Sequence, residues 1–162
     1  MKQIFLLFFF ISGTLSGQSD YEEEYLKAYA ENIKKEFIND IYIPKSFEDA
    51  FDELKRLTEP GTLKKFKNAS EETVSKKLHF GLGRWMAVNW NFEGGSRLSH
   101  QMKEMGVSFP DDMVQLMIVS FHRHLNGKTL LLEQQAMLYY EKRKKENEER
   151  LKRANVLNQD NH

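Results

Sequence analysis

The sequence predicts an all-α fold: a compact single domain of five to seven helices, with a charged C-terminal helix protruding from it. Three observations lead there. Apolar residues recur at three- and four-residue spacing along most of the chain. The three prolines, Pro44, Pro60 and Pro110, each fall between such stretches, where they act as punctuation. No convincing run alternates with period two beyond Ile41-Tyr42-Ile43, which Pro44 stops.

The elements follow in order. Tyr21, Tyr25, Tyr29, Ile33 and Phe37 repeat every four residues and make one stripe on a helix of roughly 18 residues. Ser46 caps a second helix, with Asp49 as a weaker capping-box partner and Phe47, Ala50, Phe51, Leu54 and Leu57 as its apolar face. Thr58-Glu59-Pro60-Gly61 ends it, and a short helix is expected around residues 63–67. Ser70 starts another, with Glu71 and Glu72 suited to the positive end of its dipole. Val74, Leu78, Leu82, Trp85 and Asn89 lie along one side of it. After the Gly94-Gly95 break, Ser96 caps a helix that Gly106 closes. Pro110-Asp111-Asp112 opens the next, with Met113, Leu116, Met117, Phe121 and Leu125 facing the core and Asn126-Gly127 as the stop. A last helix covers about residues 131–153. Its first half carries Leu131, Leu132, Ala136, Leu138 and Tyr139. Its second half is almost all charge, with Glu141–Lys145, Glu146–Arg150, Glu148–Lys152 and Glu149–Arg153 at i,i+4, each pair worth roughly 0.2–0.5 kcal/mol. With so little apolar face, this tail is expected to be dispensable for folding, and residues 155–162 to fray.

The N-terminus reads as a cleaved export signal. Lys2 is followed by the apolar run IFLLFFFI at residues 4–11 and by small residues at Ser12, Gly13, Ser16 and Gly17. The run is shorter than the roughly 20 residues a membrane span requires. The expected division is a signal peptide over 1–17, an amphipathic helix over 18–42, a helical domain over 43–135 and a charged tail over 136–162. Export places the protein in a bacterial periplasm or outside the cell, with no stable membrane span after cleavage. The 145 residues left are enough for a real core. Lys+Arg and Asp+Glu are 24 each, so no basic excess points to nucleic acid. Cysteine is absent, which removes disulfides, lipid attachment at cysteine and thiol nucleophiles alike.

Residues 78–98, LHFGLGRWMAVNWNFEGGSRL, hold both tryptophans and four of the nine glycines. Gly81 and Gly83 interrupt a helical stripe, which suggests close backbone approach. The turn Gly94-Gly95-Ser96-Arg97 runs into a helix start, where free N–H groups and a guanidinium suit an anion. The plainer reading pairs Arg97 with an internal carboxylate, Asp111 or Asp112. The candidate ligand-binding residues are therefore Gly95, Ser96, Arg97, His79, Trp90 and His122, for a small anionic ligand or an unknown protein. His122 and His124 diverge by about 200° on a helix and cannot chelate one ion. No HExxH spacing, GxSxG elbow or Walker loop occurs, so no metal and no cofactor is expected.

The segments IPKSFEDAFDELKRL, HFGLGRWMAVNW, GGSRL, PDDMVQLMIVSFHRHLNGK and LEQQ together resemble a small bacterial domain family of unknown function, found in exported and cytoplasmic proteins. The resemblance covers about residues 43–135 and rests on the signature HFGLGxW, NW, GSRL, PDDM and HR. It implies that this stretch is a unit. That family has no established activity, so no catalytic role is implied. The function expected is a non-enzymatic binding or interaction module. The alternative is a small hydrolase or transferase using His79 or His122 as general base.

Overall fold

The computed structural model describes residues 16–159. The expected signal segment therefore lies outside the described residues, apart from Ser16 and Gly17, and so do residues 160–162. The described part is essentially all-α. Its elements are α1 (Ser16–Asn32), β1 (Phe37–Ile38), β2 (Ile41–Tyr42), α2 (Phe47–Leu57), α3 (Pro60–Asn68), α4 (Glu71–Leu78), a π-helical turn (His79–Gly83), α5 (Arg84–Asn89), α6 (Arg97–Glu104), α7 (Pro110–Leu125) and α8 (Leu132–Gln159). Residues 71–89 run on without a break, which leaves seven helical bodies among the described residues.

α7 is the hub. Met113, Val114, Leu116, Met117, Ile118 and Phe121 are all buried, so it is apolar nearly all round, as a central helix must be. It packs against α2, α3, α4, the π-helical turn, α5 and α8. The caps are those the residues specify. Ser46 Oγ accepts from Asp49 N, Ser70 Oγ accepts from Thr73 N, and Pro60 and Pro110 sit in the first turns of α3 and α7. Asn39 and Asp40, at φ 50° and 60°, make the two-residue turn that pairs Phe37 with Tyr42 and Ile38 with Ile41.

The helix expected over residues 18–42, with Phe37 on its stripe, ends at Asn32, and Phe37 lies in β1. Three further expectations are corrected. The first concerns the stripe of residues 74–89. The π-helical turn adds a residue to the winding and shifts the buried face. Met86 and Trp90 are fully buried, and Trp85 is left 36% exposed. The second concerns the glycines. A Cβ at Gly83 would overlap Val114 Cγ1, but one at Gly81 would meet nothing within 4 Å, so only Gly83 is a packing glycine. The third concerns the tail. Arg143 of α8 donates to both oxygens of buried Asp112, from Nε at 2.5 Å and from Nη2 at 3.0 Å. Beyond Tyr140 the tail is thus tied to the domain by a charge pair rather than by an apolar face. None of the four i,i+4 pairs is closed; Arg143 bridges Glu146 at 3.1 Å instead, and the helix continues to Gln159.

α1 lies across the glycine turn. Tyr25 OH donates to Glu93 O (3.1 Å), Tyr29 OH meets His100 Nδ1 (2.9 Å), and the Lys103 ammonium sits 4.3 Å from the Tyr29 ring centre. Gly95, at φ +88°, is where the Tyr29 ring lands, and any Cβ there would overlap it.

Candidate functional site

The residues singled out from the sequence have separate partners in the fold. Ser96 and Ser99 close a capping box: Ser96 N donates to Ser99 Oγ (2.8 Å), and Ser99 N donates to Ser96 Oγ (3.3 Å). Those donors of the turn are therefore spent internally. Arg97 Nε donates to Ile43 O at 2.7 Å, and its guanidinium lies 5.2 Å from the Tyr42 ring centre. Its partner is a carbonyl and an aromatic face, not Asp111 or Asp112, which corrects the carboxylate expectation. Trp90 is fully buried against Trp85 and Phe92.

The two histidines stitch α7 to its neighbours. His79 Nδ1 accepts from Gln115 Nε2 at 2.9 Å, and its Nε2 faces Asp111 at 3.7 Å. Gln115 also accepts from Ser75 Oγ at 2.6 Å, so one side chain of α7 holds two turns of the α4 segment. Buried His122 donates from Nε2 to Ala69 O at 2.9 Å, which fixes the joint between α3 and α4. Beside it, Arg123 grips Glu71 with two bonds, 2.9 and 2.7 Å, and holds the Glu71 carboxyl below its ordinary range. A base needs a free lone pair. His79 Nδ1 already accepts a hydrogen bond from Gln115; His122, protonated on Nε2 towards Ala69 O, keeps its lone pair on Nδ1, which is buried and has no hydrogen-bond partner. Among the described residues no group of three His, Cys, Asp or Glu is placed to hold a metal ion.

These ties frame the feature best suited to a ligand. Between α3 and α4, over α7, lies an open groove of about 310 Å³. Phe66, Val74 and Phe121 form its floor, and half-buried Leu63, Leu78 and Leu82 its walls. Phe66 stacks on Phe121 with ring centres 5.2 Å apart, so the floor is part of the main core. Leu82 comes from the π-helical turn, a kind of irregularity frequent at functional sites. The rim is polar: Thr58, Thr62, Thr73, Lys65 and Lys77. An apolar hollow with a few polar groups at its mouth is the usual form of a small-ligand site.

A larger cleft, about 630 Å³, runs between residues 106–109, the start of α7 and α8. Its chemistry is already committed. Arg143 is paired with Asp112 and stacked on Phe109, 4.3 Å from the ring centre, and Arg150 is bonded to Asn147. Burial pushes the Tyr139 hydroxyl beside it up to about 12, helped by the Asp112 charge.

Of the groove residues, the sequence marks Val74, Leu78, Leu82 and Phe121 on apolar helix faces and leaves Phe66 unassigned. Periodicity marks which side of a helix is apolar but not which apolar side chains stay half-open to water. No helix among the described residues is long and apolar enough to cross a membrane. A family model described as Domain of unknown function (DUF6794) matches residues 43–125. No curated protein and no solved structure is matched.

Proposed function

The chain belongs to the family described as Domain of unknown function (DUF6794), and on that premise we propose that it is a non-enzymatic binding module whose α3–α4 groove takes a small apolar ligand. One observation carries the reading: the groove of about 310 Å³ has an almost wholly apolar lining yet opens to solvent. Half-open apolar surface costs free energy in water, at roughly 25 cal/mol per Å², and a ligand recovers it. The matched segment spans α2 to the end of α7 and so includes every helix that lines the groove. α1 and α8 flank that segment. Export to the periplasm or outside the cell is part of the same reading, supported by Lys2, the apolar run at residues 4–11 and the small residues after it.

The test uses a neutral fluorescent probe, N-phenyl-1-naphthylamine, which brightens in apolar surroundings. Wild type is expected to bind it at one site per chain. Thr62→Trp, at an exposed rim position, is expected to plug the groove and abolish the signal with no loss of melting temperature. Unchanged binding by a folded Thr62→Trp protein removes the groove from the account.

A further inference from the structure

We infer that the groove is built for an acyl carboxylate of medium chain length, its tail on the apolar floor and its carboxylate between Lys65 and Lys77. The inference rests on the binding reading above and adds the ligand class. Lys65 comes from α3 and Lys77 from α4, so each wall supplies one ammonium at the mouth. Neither is in an ion pair among the described residues, whereas the neighbouring Lys76 is closed onto Glu72 at 2.6 Å. No acidic residue lines the groove. Two uncommitted cations at the rim of an apolar hollow are complementary to an amphiphile with one negative end. Their methylene stems extend the apolar wall while the ammonium groups stay hydrated, which suits a head held at the surface and a tail below it. The groove is small, near the lower end of ligand pockets, which favours a short or medium chain over a long one. The walls are aliphatic, from Leu63, Leu78 and Leu82, as a flexible chain needs.

The chemistry gives two separable signatures. Each CH₂ buried on the floor is expected to tighten binding about fourfold. The head is held at an exposed rim, where each ammonium–carboxylate pair adds at most about fivefold and is screened by salt. Titration calorimetry of the full chain with hexanoate, octanoate and decanoate, below their micellar concentrations, reads the first signature. Comparison of decanoate with 1-decanol reads the second. Decanoate is expected to bind about three- to tenfold tighter than decanol at low salt. The Lys65→Gln/Lys77→Gln double variant, altered only at exposed positions, is expected to bind both equally. Decanol binding as tightly as decanoate, with no change in the double variant, overturns the carboxylate assignment and leaves the apolar site standing. Absence of binding by every member of the series, together with no binding of the neutral probe, overturns the site itself.

Discussion

At the start of α7 the Asp112 carboxylate is buried and held by two bonds from Arg143, with Lys142 Nζ 3.8 Å away. Removing one partner of a buried pair leaves a charge that cannot be solvated, at roughly 3–5 kcal/mol. The α7 N-terminal dipole offsets up to about 1 kcal/mol of that. Arg143→Ala is therefore expected to destabilise the protein by about 2–4 kcal/mol in denaturant unfolding, and Arg143→Lys by less. A shift under 0.5 kcal/mol, within the noise of surface substitutions, contradicts this role. Gly83 makes a second expectation. Helix propensity alone favours alanine by roughly 1 kcal/mol, but its Cβ would overlap Val114 Cγ1, and overpacking costs about 1–3 kcal/mol. Gly83→Ala is expected to lower stability by up to about 2 kcal/mol, and Gly81→Ala, with open space around it, to leave it unchanged or raise it. The interrupted apolar stripe pointed to Gly81 and Gly83 alike, and only Gly83 packs closely. The Arg143–Asp112 pair was not legible, because a charged run shows no partner until the fold brings α8 over α7.

The helices were legible where local chemistry specifies them. Ser46, Ser70 and Ser96 cap α2, α4 and α6, and Pro110 opens α7; Pro60, expected in the break after α2, is instead the first residue of α3. What escaped the sequence was irregular. The π-helical turn over His79–Gly83 re-phases the stripe and exchanges Trp85 for Met86 on the buried face. A fixed advance of 100° per residue has no place for an added residue. The hairpin escaped as well, although its Asn39-Asp40 turn carries residue types that tolerate positive φ. α8 provides the test for whole elements. Its contact with the domain passes through Ala136, Tyr139 and Arg143, and its distal turns are exposed. A chain ending after Arg150 is expected to melt within about 2–4 °C of the full chain, the size of an effect near 1 kcal/mol. A chain ending after Tyr140 loses Arg143 and is expected to melt markedly lower. Equal melting of the two truncations contradicts the tie between α8 and Asp112.

Glu71 and Tyr139 are expected to shape the acid and alkaline ends of the pH profile. The Glu71 carboxyl is held below its ordinary value of 4.5, first by its hydrogen bonds from Arg123. A depressed carboxyl contributes stability above pH 4.5 that is lost as pH falls through the folded value. The Tyr139 hydroxyl is raised from 10.0 to about 12, first by burial. A raised group contributes stability that is fully present below pH 10 and lost as pH rises towards 12. Melting temperature is thus expected to fall at both ends, with the acid limb flattened in Glu71→Gln and the alkaline limb in Tyr139→Phe. An all-α domain of five to seven helices was readable from periodicity and caps; the central place of α7 and the groove were not, because the groove depends on how far α3 and α4 stand apart over α7. That separation is set by long-range ties, His122 to Ala69 and Arg123 to Glu71. The groove is therefore tested most directly by amide chemical-shift mapping of the full chain during titration with octanoate. The largest shifts are expected at Leu63, Phe66, Thr73, Val74, Leu78 and Leu82. Shifts centred instead on the turn at residues 94–97, or on the cleft of Phe109 and Tyr140, would place the site elsewhere and contradict the account.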